Sequence, residues 1–242
     1  QDHTHERFPA YDLNIQDQLR ADIWIAELKE FEKAGRMPAL EIVRLPNDHT
    51  AGLRAGSPTP AAYMADNDLA LGRMVEALSK TSFWKTSVMF VLEDDAQNGS
   101  DHVDSHRSPL LVISPYSRGG VSHTFANTTD VIATIEDILG LGRLSQFDHY
   151  SRPLNYVWRE TPDTRPYVAL KPTVSLDEKN PRVGIGARES RRLALAKEDQ
   201  ADEDLVELLE GLAHHILHAM LSLESFLRGI ELVQDQQRLA AF

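Results

Sequence analysis

Three adjacent carboxylates, Glu93, Asp94 and Asp95, close an apolar run, and two histidines and an arginine follow them in Asp101-His102 and Asp104-Ser105-His106-Arg107. Neighbouring carboxylates repel one another. Burying any of them without a cation is costly, so a metal ion or a basic partner is the natural compensation. Gln97, Asn98, Gly99 and Ser100 supply a tight turn that brings the histidines and Arg107 back towards the same strand edge. Oxygen ligands, imidazoles and a guanidinium suit a phosphoester: a metal polarises the ester, and His or Arg meets the phosphoryl charge. The same residues also fit an acidic loop with surface histidines.

Asn47-Asp48-His49-Thr50 forms a second cluster, and Ser122-His123-Thr124 a third. Asp48 and His49 suit a metal or a phosphate, or else a loop with a capping Asp. His123 reads as a ligand or as a structural hydrogen-bonding histidine. His214 and His218 share a helix face at i, i+4, with His215 beside them. The Glu that a zinc-protease helix needs after its first His is absent, so three unrelated histidines are the simpler reading. His3 and His5 lie at the terminus and read as frayed residues or a tag remnant.

These clusters need strands and helices to hold them. Ile15 to Ala34 has near-helical apolar spacing through Leu19, Ile23, Ile25, Ala26 and Leu28, with Gly35 as a stop. Pro38 to Leu45 reads as a short strand, ended by Pro46, and Asn47 to Pro60 as a loop. Thr59 caps a helix that opens on Pro60 and runs to about Lys80. Trp84 to Leu92 reads as a strand whose core, Ser87 to Leu92, is expected to be buried on both faces of a parallel sheet. Leu110 to Ile113 is a second such strand. Asn127 to Asp130 caps a helix from Val131 to about Leu139, with Gly140 after it. Alternating strands and helices predict an α/β layered fold, in which sites form at the C-terminal ends of strands. From Glu160 prolines punctuate an extended segment that is expected to lie over the domain, and Asp202 to about Gln234 reads as a long amphipathic helix.

The 242 residues suffice for one large domain or a domain with an appendage. A net charge of −12 argues against a nucleic-acid or anionic-membrane surface, though not against a small anionic substrate beside a metal. There are no cysteines, so any metal must rest on His, Asp and Glu. No apolar run reaches the roughly 18 residues of a membrane span. The polar start, Gln1 to Arg7, has neither an initiator Met nor a signal peptide, and we expect a mature, trimmed or excised product.

A series of stretches in order resembles the bacterial phosphoesterase family: Leu45 to Thr50, Asp66 to Gly72, Phe83 to Ser87, Glu93 to Gln97, Asp101 to Arg107, Ile113 to Tyr116 and Thr134 to Leu141. That family groups phospholipases C with acid phosphatases inside the alkaline-phosphatase superfamily. The wording is most similar to members in which a β-propeller precedes the phosphoesterase domain. The resemblance covers about Tyr11 to Tyr156. It implies an α/β, alkaline-phosphatase-like layered fold with a mostly parallel sheet flanked by helices, present as its C-terminal half over residues 1–160. Residues 161–242 would form a proline-punctuated linker and a C-terminal helical extension.

The resemblance further implies a hydrolase using a divalent metal (Mn, Ca or Zn) on a phosphate ester, through a Ser or Thr phosphoryl intermediate, in the periplasm or secreted. Asp94 and Asp95 would be metal ligands, with Asp48 and His123 completing the set. His49 would face the metal or the phosphate and, with His102, serve catalysis. His106 and Arg107 would meet the substrate. One departure weighs against an intact centre. The Glu-Asn strand end and the nucleophilic Ser or Thr that precede these motifs in the family have no counterpart before Asp48. The expectation is therefore an enzyme half that works with a complementary N-terminal half or another chain. Alternatives are a non-catalytic metal- or phosphate-binding remnant, a protein-interaction fragment, and a sulfatase or phosphonate hydrolase of the same superfamily.

Overall fold

Gly35 ends the first helix with φ 66°, a backbone setting that costs glycine little. Its N–H donates to the Glu32 carbonyl and that of Arg36 to the Phe31 carbonyl, satisfying the last turn. This helix, α1, spans Asp17–Ala34 in a computed structural model that describes residues 3–93, 108–184, 186–187 and 190. The second, α2, spans Pro60–Ser79. Thr59 caps it, its Oγ1 accepting from the Ala62 N–H at 3.1 Å, and Pro60 takes the first turn, where no N–H is needed.

The two helices pack side by side around Ala21, Trp24 and Leu28 from α1 and Ala70, Met74 and Leu78 from α2, with Trp84 beneath. The buried face of α1 is not the one expected through Leu19, which is 48% exposed. It runs Asp17, Arg20, Ala21, Trp24, Leu28 instead. Trp24 and Leu28 fix the face, and Asp17 and Arg20 are carried inward with them by the helical period.

Residues Ser82–Thr86 form a 3-10 turn rather than the start of a strand, and strand β1 is confined to Met89–Leu92. Strand β2, Leu110–Ile113, pairs with it antiparallel, Met89 opposite Ile113 and Leu92 opposite Leu110. Met89 and Ile113 lean on the helical core, while Leu92 and Leu111 are exposed. Burial on both faces, expected for these runs, is not met among the described residues. The mostly parallel sheet calls for strands beyond this pair. Pro38 to Leu45 is assigned no strand and joins no described ladder, and Ile42 is 91% exposed.

Helix α3, Thr128–Leu139, opens on a reciprocal cap: Asn127 Oδ1 accepts from the Asp130 N–H, and Asp130 Oδ2 accepts from the Asn127 N–H. Gly140 closes it at φ 66°. A short helix α4, Gln146–His149, follows.

The proline-punctuated segment does lie over the domain. The Tyr167 N–H donates to Ser79 Oγ and the Ala169 N–H to Glu76 Oε2, laying it along α2. Further on, the Asn180 amide donates to the carbonyls of Gly52, Arg54 and Pro58 at 2.9, 3.1 and 3.2 Å. The expected helix from Asp202 to Gln234 lies outside the described residues. Among the described residues no helix is long and apolar enough to cross a membrane.

Candidate functional site

Pro46–His49 is a single 3-10 turn between α1 and α2, with Pro46 at its start. Three polar side chains from α1 and α2, Asp17, Asp66 and Asn67, hold it. The Asp17 carboxylate accepts from the Asn47 N–H at 3.0 Å and from Asn67 Nδ2 at 3.1 Å, both through Oδ2. Asp66 Oδ2 accepts from the Asp17 N–H at 2.7 Å and from Asn47 Nδ2 at 2.6 Å. Asp66 thereby serves as the cap that Gln16 does not supply to α1. Asn67 Nδ2 also donates to the Leu45 carbonyl at 2.8 Å and approaches Asp48 Oδ1 at 3.5 Å.

Arg20 balances the buried charge. Its guanidinium is 3.1 Å from Asp17 Oδ1 and donates to the carbonyls of Ile15, Ala10 and Asp12. Burial pushes the Asp17 carboxyl up to about 6, against the pull of the Asn47 N–H and the Arg20 guanidinium, and the nearby Asp66 pushes the same way as burial. At neutral pH Asp17 is therefore ionised, and its oxygens are filled by donors.

On this base sit Asp48 and His49. His49 Nδ1 lies 3.0 Å from the Thr50 carbonyl. A carbonyl only accepts, so Nδ1 carries the hydrogen and a neutral ring has its lone pair at Nε2. Nε2 is buried and has no hydrogen-bond partner among the described residues. The His49 and Tyr11 rings meet in a T-shaped pair, with centroids 5.5 Å apart. Metal-ligating histidines are held in just this manner, one nitrogen on a carbonyl and the other left to the ion. Thr50 follows at φ 58°, ψ 167°, a region in which side chains other than glycine are rarely found. Among the described residues it is the one non-glycine at positive φ.

Asp48 and His49 are thus neighbours on one turn, with His49 Nε2 left without a partner among the described residues. Asp94, Asp95, His102, His106 and Arg107 lie outside the described residues. Ser108 Oγ donates to the Glu93 carbonyl at 3.0 Å, so the two ends of that stretch meet at the strand pair. His123 is exposed on the coil between β2 and α3. Among the described residues no three His, Asp or Glu side chains converge as a metal centre.

The supporting residues Asp17, Arg20 and Asp66 went unnoticed as site residues in the sequence. Their signal is positional. Asp17 and Arg20 share the stripe of Trp24 and Leu28, and Asp66 that of Ala62, Ala70 and Met74. A charge on an apolar stripe has to be paired inside. In comparisons with known proteins, no family model matches the chain and no curated protein matches it.

Proposed function

We propose that the chain is part of a metal-dependent phosphoesterase, with His49 and Asp48 in its metal and phosphate site. The observation that carries this reading is His49 itself: Nδ1 is committed to the Thr50 carbonyl, while Nε2 is buried and without a partner among the described residues. The resemblance of the motifs from Leu45 to Leu141 to bacterial phosphoesterases gives the reaction class.

His49 and Asp48 would hold a divalent ion of the Mn, Ca or Zn kind, together with Asp94 and Asp95. When bound, such an ion polarises a phosphate ester and offsets the charge that develops on it. The chain's own residues do the rest. The Thr50 carbonyl fixes the tautomer of the neutral His49 ring, placing its lone pair at Nε2. His102 would act at the reacting phosphoryl, and His106 and Arg107 would meet its oxygens as donors. The attacking Ser or Thr and the remaining ligands come from a complementary segment, and the protein works in the periplasm or outside the cell.

Calorimetric titration of the full chain with Mn²⁺, Ca²⁺ and Zn²⁺ tests this. One of them binds the unaltered chain, and binding weakens at least about tenfold in Asp48→Ala and in His49→Ala, the scale of losing a well-held ligand or its support. If none of the three ions binds, the reading is wrong.

A second reading, a protein-interaction fragment, is favoured by large apolar side chains left in solvent between β2 and the end of α4. Val121, Phe125, Leu144, Phe147 and Tyr150 are all exposed. Sedimentation of a monodisperse monomer at micromolar concentration would weigh against it.

A further inference from the structure

We infer that Asn67 and Asp17 are positioning residues for the Asp48–His49 turn, an inference that rests on reading that turn as a metal and phosphate site. Asn67 has two amide hydrogens and three acceptors around them: the Leu45 carbonyl before the turn, Asp17 Oδ2 beneath it and Asp48 Oδ1 on it. Asp17 Oδ2 receives both that amide and the Asn47 backbone N–H. One oxygen atom therefore ties together α1, the turn and α2.

Stability alone is a poor reason for this construction. Burying carboxylates beside a guanidinium costs desolvation that apolar residues of similar size would avoid. The network ends, moreover, at a strained residue. Thr50 keeps a glycine-like backbone, and such a setting persists only where the surroundings over-determine it. The Asn47 anchors on one side and the Thr50 Oγ1 bond to the Gly52 N–H on the other supply that over-determination. What the strain secures is the Thr50 carbonyl against His49 Nδ1. Asn67 and Asp17 touch no substrate in this scheme; they act through Asp48 and His49.

The test is made on the full chain labelled with ¹⁵N-histidine. The His49 resonances are assigned by their loss in His49→Ala. In the unaltered chain the His49 ring carries its hydrogen on Nδ1, the reverse of the preference of free histidine. In Asn67→Ala this signature gives way to the Nε2–H form, while the amide spectrum of α1 and α2 is kept. Asn67→Leu, which keeps bulk on α2 but offers no donor, carries the same readout should the alanine variant unfold. Zn²⁺ affinity in these variants falls on the order of 10–100-fold, as for loss of a ligand's supporting bond. An unchanged Nδ1–H signature in a folded Asn67 variant overturns the positioning role. If the signature moves but the unaltered chain takes no metal, the positioning role stands and the phosphoesterase reading falls.

Discussion

Asn47 and Asp66 meet at 2.6 Å through Nδ2 and Oδ2, with both side chains almost wholly withdrawn from solvent. The bond is charge-assisted and joins the turn that bears His49 to the middle of the molecule's best-packed helix pair.

Truncating the turn's side of that bond leaves the Asp66 carboxylate with a single donor, the Asp17 N–H. Asn47→Ala is therefore expected to destabilise the protein by about 2–3 kcal/mol, the range for a hydrogen bond to a buried charge. Urea unfolding with an unchanged slope checks this. A loss within about 0.5 kcal/mol, as for an exposed position, would show that the bond is dispensable.

Asp17 predicts a pH dependence of unusual sign for a carboxylate. Its folded value, raised by burial to about 6, lies above the 3.8 of an exposed Asp. The folded state thus holds the proton more tightly. The stability linked to it is fully present below about 3.8 and is lost as the pH rises through about 6, to an extent on the order of 3 kcal/mol. Asp163 and Asp148, held low by hydrogen bonds from Arg165 and Ser145, act in the opposite sense under acid. The informative quantity is the difference between chains. From pH 4 to 7 the unfolding free energy of the unaltered protein should fall relative to that of Asp17→Asn, which has no proton to lose at this position. Parallel curves would remove Asp17 as the cause.

Thr50→Gly should relieve the backbone of about 1–3 kcal/mol of strain while forfeiting one hydrogen bond to Gly52, worth about 1 kcal/mol. The expected net is a modest gain in thermal stability. The same change frees the carbonyl that holds His49 Nδ1, so metal affinity falls as stability rises. A variant that loses stability would mean that the positive φ is not strained in this setting.

The helices were legible because their ends are written locally. Thr59-Pro60 opens α2, Asn127 and Asp130 close a reciprocal cap on α3, and Gly35 and Gly140 take up positive φ where α1 and α3 stop. Strands were less so. Pro38 to Leu45 has the composition of a strand, yet a strand exists only through a partner, and composition does not supply one. The candidate site was legible only at its tip. Asp48 and His49 adjoin in sequence, whereas Asp17 lies 30 residues before the Asn47 it grips and 50 before Asn67. Such pairing depends on how α1 and α2 pack.

The grip of Asn180 on the loop beyond Thr50 sets an order of events. Its amide closes on Gly52 across 128 residues. A chain emerging from its N-terminus has α1, α2 and the turn between them in hand well before Asn180 is made. The stretch from Gly52 to Pro58 therefore has only its local bonds until the far end of the domain arrives to lock it. A species lacking residue 180 leaves this segment, next to His49, without that long-range lock.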